Sequence, residues 1–320
     1  MNASIDHILH AAADRIDAGQ AVALCALVDT KGSTPAAAGA VMLVDDGADT
    51  LGTIGGGCVE AEVRRQVLGM LTDGRSGRLS FQLNHDFGWD DGLICGGRIT
   101  VAVWLPTDAA ELRAIANAHR RREPASIEFT VAGEAPDDPP HRYTIDLPPR
   151  PHLLIAGAGH VGQALARLAL DLEFAVTAFD DRADLLDRFM PEGVTKVAGP
   201  IAGNLAERSL DDQSYVVVVT RGHRHDEEAL HAVITKPARY LGMIGSRRKV
   251  KLIFDDLREL GVSDEDIDRV HAPIGVEIGS VTVNEIALSI AAQLVAVRRA
   301  DHRSPVRAST AAAPAASSSA

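Results

Sequence analysis

The sequence predicts an α/β protein in two parts, an N-terminal α+β domain over residues 1–132 and a doubly wound parallel-sheet domain over 152–300. Three observations predict it. The chain has 320 residues, more than one ordinary core holds. From His152 onward, short apolar runs rich in β-branched residues alternate with helical stretches, the rhythm of a parallel sheet. Between the halves, Gly133 to Pro151 carries six prolines around one alternating run, His141 to Leu147. Proline blocks helix continuation and sheet interiors, so residues 133–151 read as a connector holding a single strand.

In the first half, Ile5, Ile8, Leu9 and Ile16 fall near one face of a helix over residues 4–18. AVALCALV (21–28) and VMLV (41–44) read as buried strands around the loop DTKGSTPAAAG, and a helix opens near residue 58. RLSFQL (78–83) and RITVAVWL (98–105) read as strands, and helix 108–121 ends in cations that suit its carboxyl terminus. In the second half, HLLIAG, FAVTAFD, YVVVVT and RYLGMIG each precede a helix, at 160–171, 182–190, 226–234 and 247–260. A final helix begins with a capping box, Thr282 and Glu285, and places Val283, Ile286, Ile290, Leu294 and Val297 on one stripe. The small-residue tail from 301 to 320 reads as disordered.

Composition narrows the function. Apolar residues make up 46% and aromatic ones only 4%, as in a globular core of aliphatic side chains. The net charge of −12 argues against general nucleic-acid binding, which needs a basic face. No apolar run is long enough for a membrane span, and the start lacks the pattern of a secretory signal. Cys25, Cys58 and Cys95 are too few and too scattered for a disulfide framework, so free thiols in a cytoplasmic setting are expected.

Gly52 to Glu62 reads GTIGGGCVEAE. Consecutive Gly55, Gly56 and Gly57 add backbone entropy and supply no side chain for packing. They do offer bare amides that an anion or flat cofactor can approach, with the Cys58 thiol beside them. The bland alternative is a tight turn with Cys58 as a small buried hydrophobe. In the second half, Gly157, Gly159 and Gly162 form G-x-G-x-x-G between strand and helix, with His160 at the helix start. Asp180 ends the next strand about 20 residues on, where the ribose-binding acid of such folds belongs. A Rossmann-like domain follows, and two readings of its glycines stay open: a site for a nucleotide such as NAD(P), or close helix–strand contact alone. TRGHRHDEE (220–228) and GSRRKV (245–250) lie just past strand ends, where open α/β sheets bind ligands. Arg221 or His223 suits an anion. A metal reading of His223, His225 and Asp226 finds no third ligand evident nearby, and Asp226 more simply caps the next helix. Ser246, Arg247, Arg248 and Lys249 put cations at a helix amino terminus against the dipole, which suggests either a phosphate between them or a solvated basic turn.

Seven blocks then resemble the XdhC/CoxI family, accessory proteins of xanthine dehydrogenase and related molybdenum hydroxylases. They are GSTPAAAGAVMLV, GTIGGGCVEAEV, CGGRITV, LLIAGAGHVGQAL, TRGHRHDEEAL, YLGMIGSRRK and HAPIGVEIGSVTVNEIALSI, in the family's order. The resemblance implies binding of the molybdenum cofactor (a molybdopterin), support of its sulfuration, and delivery to an apo molybdenum hydroxylase of the xanthine dehydrogenase type. It also implies a separate cysteine desulfurase as sulfur source, and a homodimer suits such a chaperone. Soft thiolates suit molybdenum or a sulfur relay, which makes Cys95 the first candidate thiol and metal ligand and Cys58 the second. Gly55 to Gly57 would meet cofactor oxygens, and Arg98 would pair with a phosphate. Family members commonly carry an arginine after the GSTP proline, where this chain has Ala36. Two rival classes stay open: an NAD(P)-dependent oxidoreductase, and a non-catalytic nucleotide-sensing scaffold.

Overall fold

The computed structural model describes residues 3–83, 97–133, 138–300 and 304–310. These residues form two compact units, one of those up to Pro149 together with 304–310, the other of those from Arg150 to 300.

The first unit runs α1 (Ile5–Asp17), β1 (Val22–Lys31), β2 (Val41–Asp45), β3 (Thr50–Gly52), α2 (Gly57–Asp73), β4 (Gly77–Gln82), β5 (Arg98–Trp104), α3 (Ala109–Arg120), β6 (Ala125–Val131) and β7 (His141–Leu147). Strands β3-β2-β1-β5-β4 make an antiparallel five-stranded sheet whose two faces are both covered. Alternation along β1 explains this, because successive side chains point to opposite faces. Val22, Leu24 and Ala26 pack with α1, α3, β6 and β7. Ala23, Cys25 and Leu27 pack against Val59, Val63 and Val67 of α2. Cys25 is thus plain core, fully buried, with its thiol pushed up to about 12 by desolvation.

Two departures from the sequence reading concern the connector and the tail. The strand His141–Leu147 belongs to the first unit's core, where Tyr143, Ile145 and Leu147 are buried. Residues Val306–Thr310 also form a strand, which pairs antiparallel with β7 and completes a three-stranded sheet with β7 and β6. Composition misled here, because prolines flank β7 without entering it and backbone pairing needs no apolar side chains.

The second unit runs β8 (His152–Ala156), α4 (His160–Asp171), β9 (Ala175–Asp180), α5 (Ala183–Phe189), β10 (Val194–Ala198), α6 (Ile201–Ala206), β11 (Ser214–Val218), α7 (His223–His231), β12 (Tyr240–Met243), α8 (Arg247–Glu259), α9 (Asp264–Asp268), β13 (Val270–His271) and α10 (Val283–Arg299). The chain then returns to the first unit as β14 (Val306–Thr310). All six strands are parallel, in the order β10-β9-β8-β11-β12-β13. That is the 3-2-1-4-5-6 order of dinucleotide folds, with the switch point between β8 and β11. Helices α4 and α10 pack on one face with Leu153, Ile155, Tyr215 and Val217. Helices α7 and α8 pack on the other with Leu154, Val216 and Val218. The capping box of Thr282 and Glu285 starts α10.

Candidate cofactor-binding site

In the first unit, the triple glycine is the start of α2. Gly56 is its N-cap and carries no capping side chain. The first amides of a helix have no partner inside it, and among the described residues none of those of Gly56, Gly57 and Cys58 meets an acceptor. A Cβ added at Gly56 or Gly57 would meet nothing within 4 Å, so both glycines open onto free space. Gly55 differs: its φ is +147°, and a Cβ there would lie 2.7 Å from Cγ of Pro35. Hence the GSTP loop lies against the glycine loop. Cys58, in the first turn, is exposed, beside bare amides at the positive end of the helix dipole, where anions are favoured.

Sequence reasoning gave no role to Glu60, which fixes this loop. Its carboxylate accepts a hydrogen bond from the Thr53 hydroxyl and a second, 3.3 Å long, from the Ile54 amide. The Thr53 hydroxyl in turn accepts from the Gly55 amide at 3.3 Å. The available signal was a carboxylate three residues past the last glycine, within reach of the turn it closes.

Cys95 and Gly96 lie outside the described residues. Their neighbour Gly97 is buried, and a Cβ on it would sit 2.3 Å from the Ser33 carbonyl oxygen, so Gly97 lies against the GSTP loop. Arg98 follows, exposed, and opposite Lys31 in the β1–β5 register. Ile99 faces α2, so strand alternation turns Arg98 to the other face of the sheet. The structure therefore brings together the 33–35, 55–58 and 97 segments but directs the Arg98 side chain away from Cys58. Lys31 and Arg98 have no ion-pair partner among the described residues, although like charges directly opposite on paired strands repel. Ala36 packs partly buried against the α2 side of the sheet.

In the second unit, each glycine of the fingerprint has its own reason. Gly157 has φ +117°, and a Cβ there would lie 2.5 Å from the Val219 carbonyl oxygen. A Cβ on Gly162 would lie 2.1 Å from the Gly157 carbonyl oxygen, so α4 packs onto the loop only without one. Gly159 faces open space as the N-cap of α4, and His160 beside it is exposed. Asp180 ends β9 as expected, but its carboxylate is committed. It accepts from the Ala158 amide at 2.7 Å and from Arg182 Nε at 2.8 Å and Nη2 at 2.9 Å. Burial alone would raise its pKa; these hydrogen bonds with Arg182 and the backbone outweigh it and hold the carboxyl down at about 2. Asp180 thus braces the glycine loop through Oδ2, while Oδ1 is held by Arg182. Its exposed neighbour Asp181 instead pairs with Arg221 at 2.8 Å, from the loop after β11.

The segment after β11 differs from the reading in one respect. Helix α7 begins at His223, after Gly222 with φ +88°, so Asp226 is inside the helix and does not cap it. Asp226 is fully buried, accepts from the Thr220 amide at 3.1 Å and from its hydroxyl, and forms an ion pair with Lys249 of α8. Ser246 is the N-cap of α8 and accepts from the Lys249 amide at 3.3 Å. Lys249 is thereby drawn away from the expected phosphate cluster, while Arg247 and Arg248 have no ion-pair partner among the described residues.

These features define a two-unit protein with a dinucleotide-type sheet in one unit and a thiol-bearing glycine loop in the other. Residues 15–82 match the XdhC and CoxI family, and residues 153–294 match the XdhC Rossmann domain. The chain belongs to the XdhC and CoxI family. It is similar to YqeB, an uncharacterized protein of Escherichia coli (strain K12), with 30% identity over 278 residues. That match covers 86% of this chain but only 43% of YqeB, less than half of its length. It is 26% identical over 304 residues to the molybdenum cofactor insertion chaperone PaoD of the same organism, covering 92% of this chain and 89% of PaoD. It is 23% identical over 313 residues to a Bacillus subtilis (strain 168) protein named as a probable xanthine dehydrogenase subunit, covering 86% and 93%. A crystal structure described as a xanthine dehydrogenase from Bacillus halodurans shares the fold, with a TM-score of 0.80 at 20% identity over 94% of this chain and 97% of that one. Among the described residues, no helix is long and apolar enough to cross a membrane.

Proposed function

We propose that this protein binds the molybdenum cofactor as cargo, supports its sulfuration and hands it to an apo molybdenum hydroxylase of the xanthine dehydrogenase type. The observation that carries the reading is the exposed Cys58 thiol at the start of α2, next to two glycines that open onto free space and amides that meet no acceptor among the described residues. Such a seat suits a ligand bearing both a soft metal and anionic oxygens: the thiol addresses the metal or its sulfur, and the amides take oxygens. The name of PaoD supports the same cargo. Cys95, two residues before Gly97, is proposed as the companion thiol. A cysteine desulfurase would supply sulfur, and the proposed working form is a cytoplasmic homodimer.

The test is to purify the protein from cells able and unable to make molybdopterin, then compare its molybdenum content and the pterin fluorescence of oxidised extracts. Cofactor bound only in the first case, and lost from Cys58→Ala or Cys95→Ala protein that remains folded, is the expected result. Equal cofactor content in wild type and the double variant overturns the thiol assignment. A second reading has its own observation: Gly159 opens onto free space at the switch point, as nucleotide binding requires. NAD(P) is the proposed nucleotide, with Gly157, Gly159, Gly162 and His160 at its phosphates. Because Asp180 is already spent on Ala158 and Arg182, ribose recognition would fall to other groups. Titration with NADH, followed by its fluorescence, checks this independently of the molybdenum reading.

A further inference from the structure

A second set of metal-type donors lies in the Rossmann unit. His223 opens α7, Glu227 is one turn further along the same helix, and Asp256 comes from α8. The His223 Nε2 atom is 3.1 Å from Asp256 Oδ2 and 3.6 Å from Glu227 Oε2. One donor atom from each of the three lies within 4.8 Å of the other two. Donor atoms held roughly 2.1 Å from one ion are separated by about 3.0–3.4 Å along the edges of a tetrahedron or octahedron. The contacts to His223 therefore need little adjustment to surround a cation.

Charge points the same way. Three basic groups on these helices are committed elsewhere: Arg224 to Glu228, Lys249 to Asp226, and Arg258 to Asp255 and Asp264. Among the described residues, Glu227 and Asp256 have no ion-pair partner except the one imidazole they share. Two carboxylates converging on one ring nitrogen carry more negative charge than a single imidazole can balance, and a divalent ion balances it. The frame is also rigid, because the buried Asp226–Lys249 pair ties α7 to α8 beside the donors.

We propose that His223, Glu227 and Asp256 form a binding site for a divalent first-row metal ion, with its remaining positions open to water or to an oxygen of a bound ligand. One imidazole with two carboxylates suits manganese or zinc, and the partial exposure of His223 and Asp256 leaves room for further ligands. The proposal does not depend on molybdenum cofactor binding.

The test uses untagged full-length protein, stripped with a chelator and desalted, and titrates it with Mn2+ while following the free-ion EPR signal. Manganese is chosen because it is hard and ignores thiols, so Cys58 does not contribute. One equivalent should bind. His223→Gln and Asp256→Asn should each weaken binding at least tenfold, whereas Arg224→Gln should leave it unchanged. Glu227→Gln gives the same readout should either of the first two fail to fold. If wild type binds no Mn2+ at millimolar concentration, or the variants bind as wild type does, the cluster is only a histidine held between two acids and the proposal is wrong.

Discussion

The buried ion pair between α7 and α8 yields a prediction that depends on which partner is removed. Asp226 has no exposed surface, whereas the Lys249 side chain is 26% exposed. Lys249→Met strands a fully buried carboxylate with only the Thr220 amide and hydroxyl as donors. Removing one partner of a buried pair in this way costs about 3–5 kcal/mol. Asp226→Asn keeps an oxygen for Thr220, and the lysine left behind has a path to water, so its cost is about 1.5–3 kcal/mol, that of a charge-assisted hydrogen bond. The double variant should be more stable than Lys249→Met alone, because its amide needs no cation. Scanning calorimetry should show Lys249→Met lowering the melting temperature of the second unit by roughly 6–20 °C, at 2–4 °C per kcal/mol for a domain of this size. Additive losses in the double variant would refute the reasoning, since the two side chains would then not be interacting.

Three further outcomes are expected. Gly162→Ala, whose new methyl meets the Gly157 carbonyl oxygen, should cost more than about 2 kcal/mol in urea unfolding, while Gly159→Ala, facing open space, should stay within about 0.5 kcal/mol. Iodoacetamide applied to the native protein should label the Cys58 peptide and leave the Cys25 peptide unmodified by mass spectrometry until denaturant is added, since one thiol is exposed and the other is sealed with its pKa pushed up to about 12. Asp180 has a folded pKa of about 2, below its ordinary value, so it contributes stability that is present above about pH 4 and lost as pH falls toward 2. Asp180→Asn should therefore be less stable at pH 7 and lose less than wild type over that acid window, as read from urea midpoints.

Legibility in the sequence followed the strength of local physics. The second unit was readable because β8, β9, β11 and β12 are apolar runs, and two of the fingerprint glycines, Gly157 and Gly162, have steric reasons that only glycine meets. Strand β10 went unread because it is an edge strand, TKV in its middle, with three of its five residues exposed, two of them side by side. Strand β6 sits beside the proline-rich stretch, and its pairing with β7 is visible only in three dimensions. At the candidate site the open glycines and Cys58 were legible as a loop, but three relations were not. Glu60 folds back on Thr53, Arg98 turns to the far face of the sheet, and Asp256 meets His223 from 33 residues away. Each depends on which face or which neighbouring helix a residue presents, information that one-dimensional spacing does not carry.

The pairing of Val306–Thr310 with β7 makes the second unit an insertion within the first. The chain leaves at Leu147, on the strand that it rejoins, where the Pro305 carbonyl already accepts from the Asp146 amide at 2.8 Å. During synthesis the first unit can therefore complete its smaller sheet only after the whole inserted sheet has left the ribosome. Trimming the chain before Ser304 would bare one edge of β7, so a fragment ending there would be expected to self-associate, while a nick inside the insertion would leave both of its ends anchored to neighbouring strands.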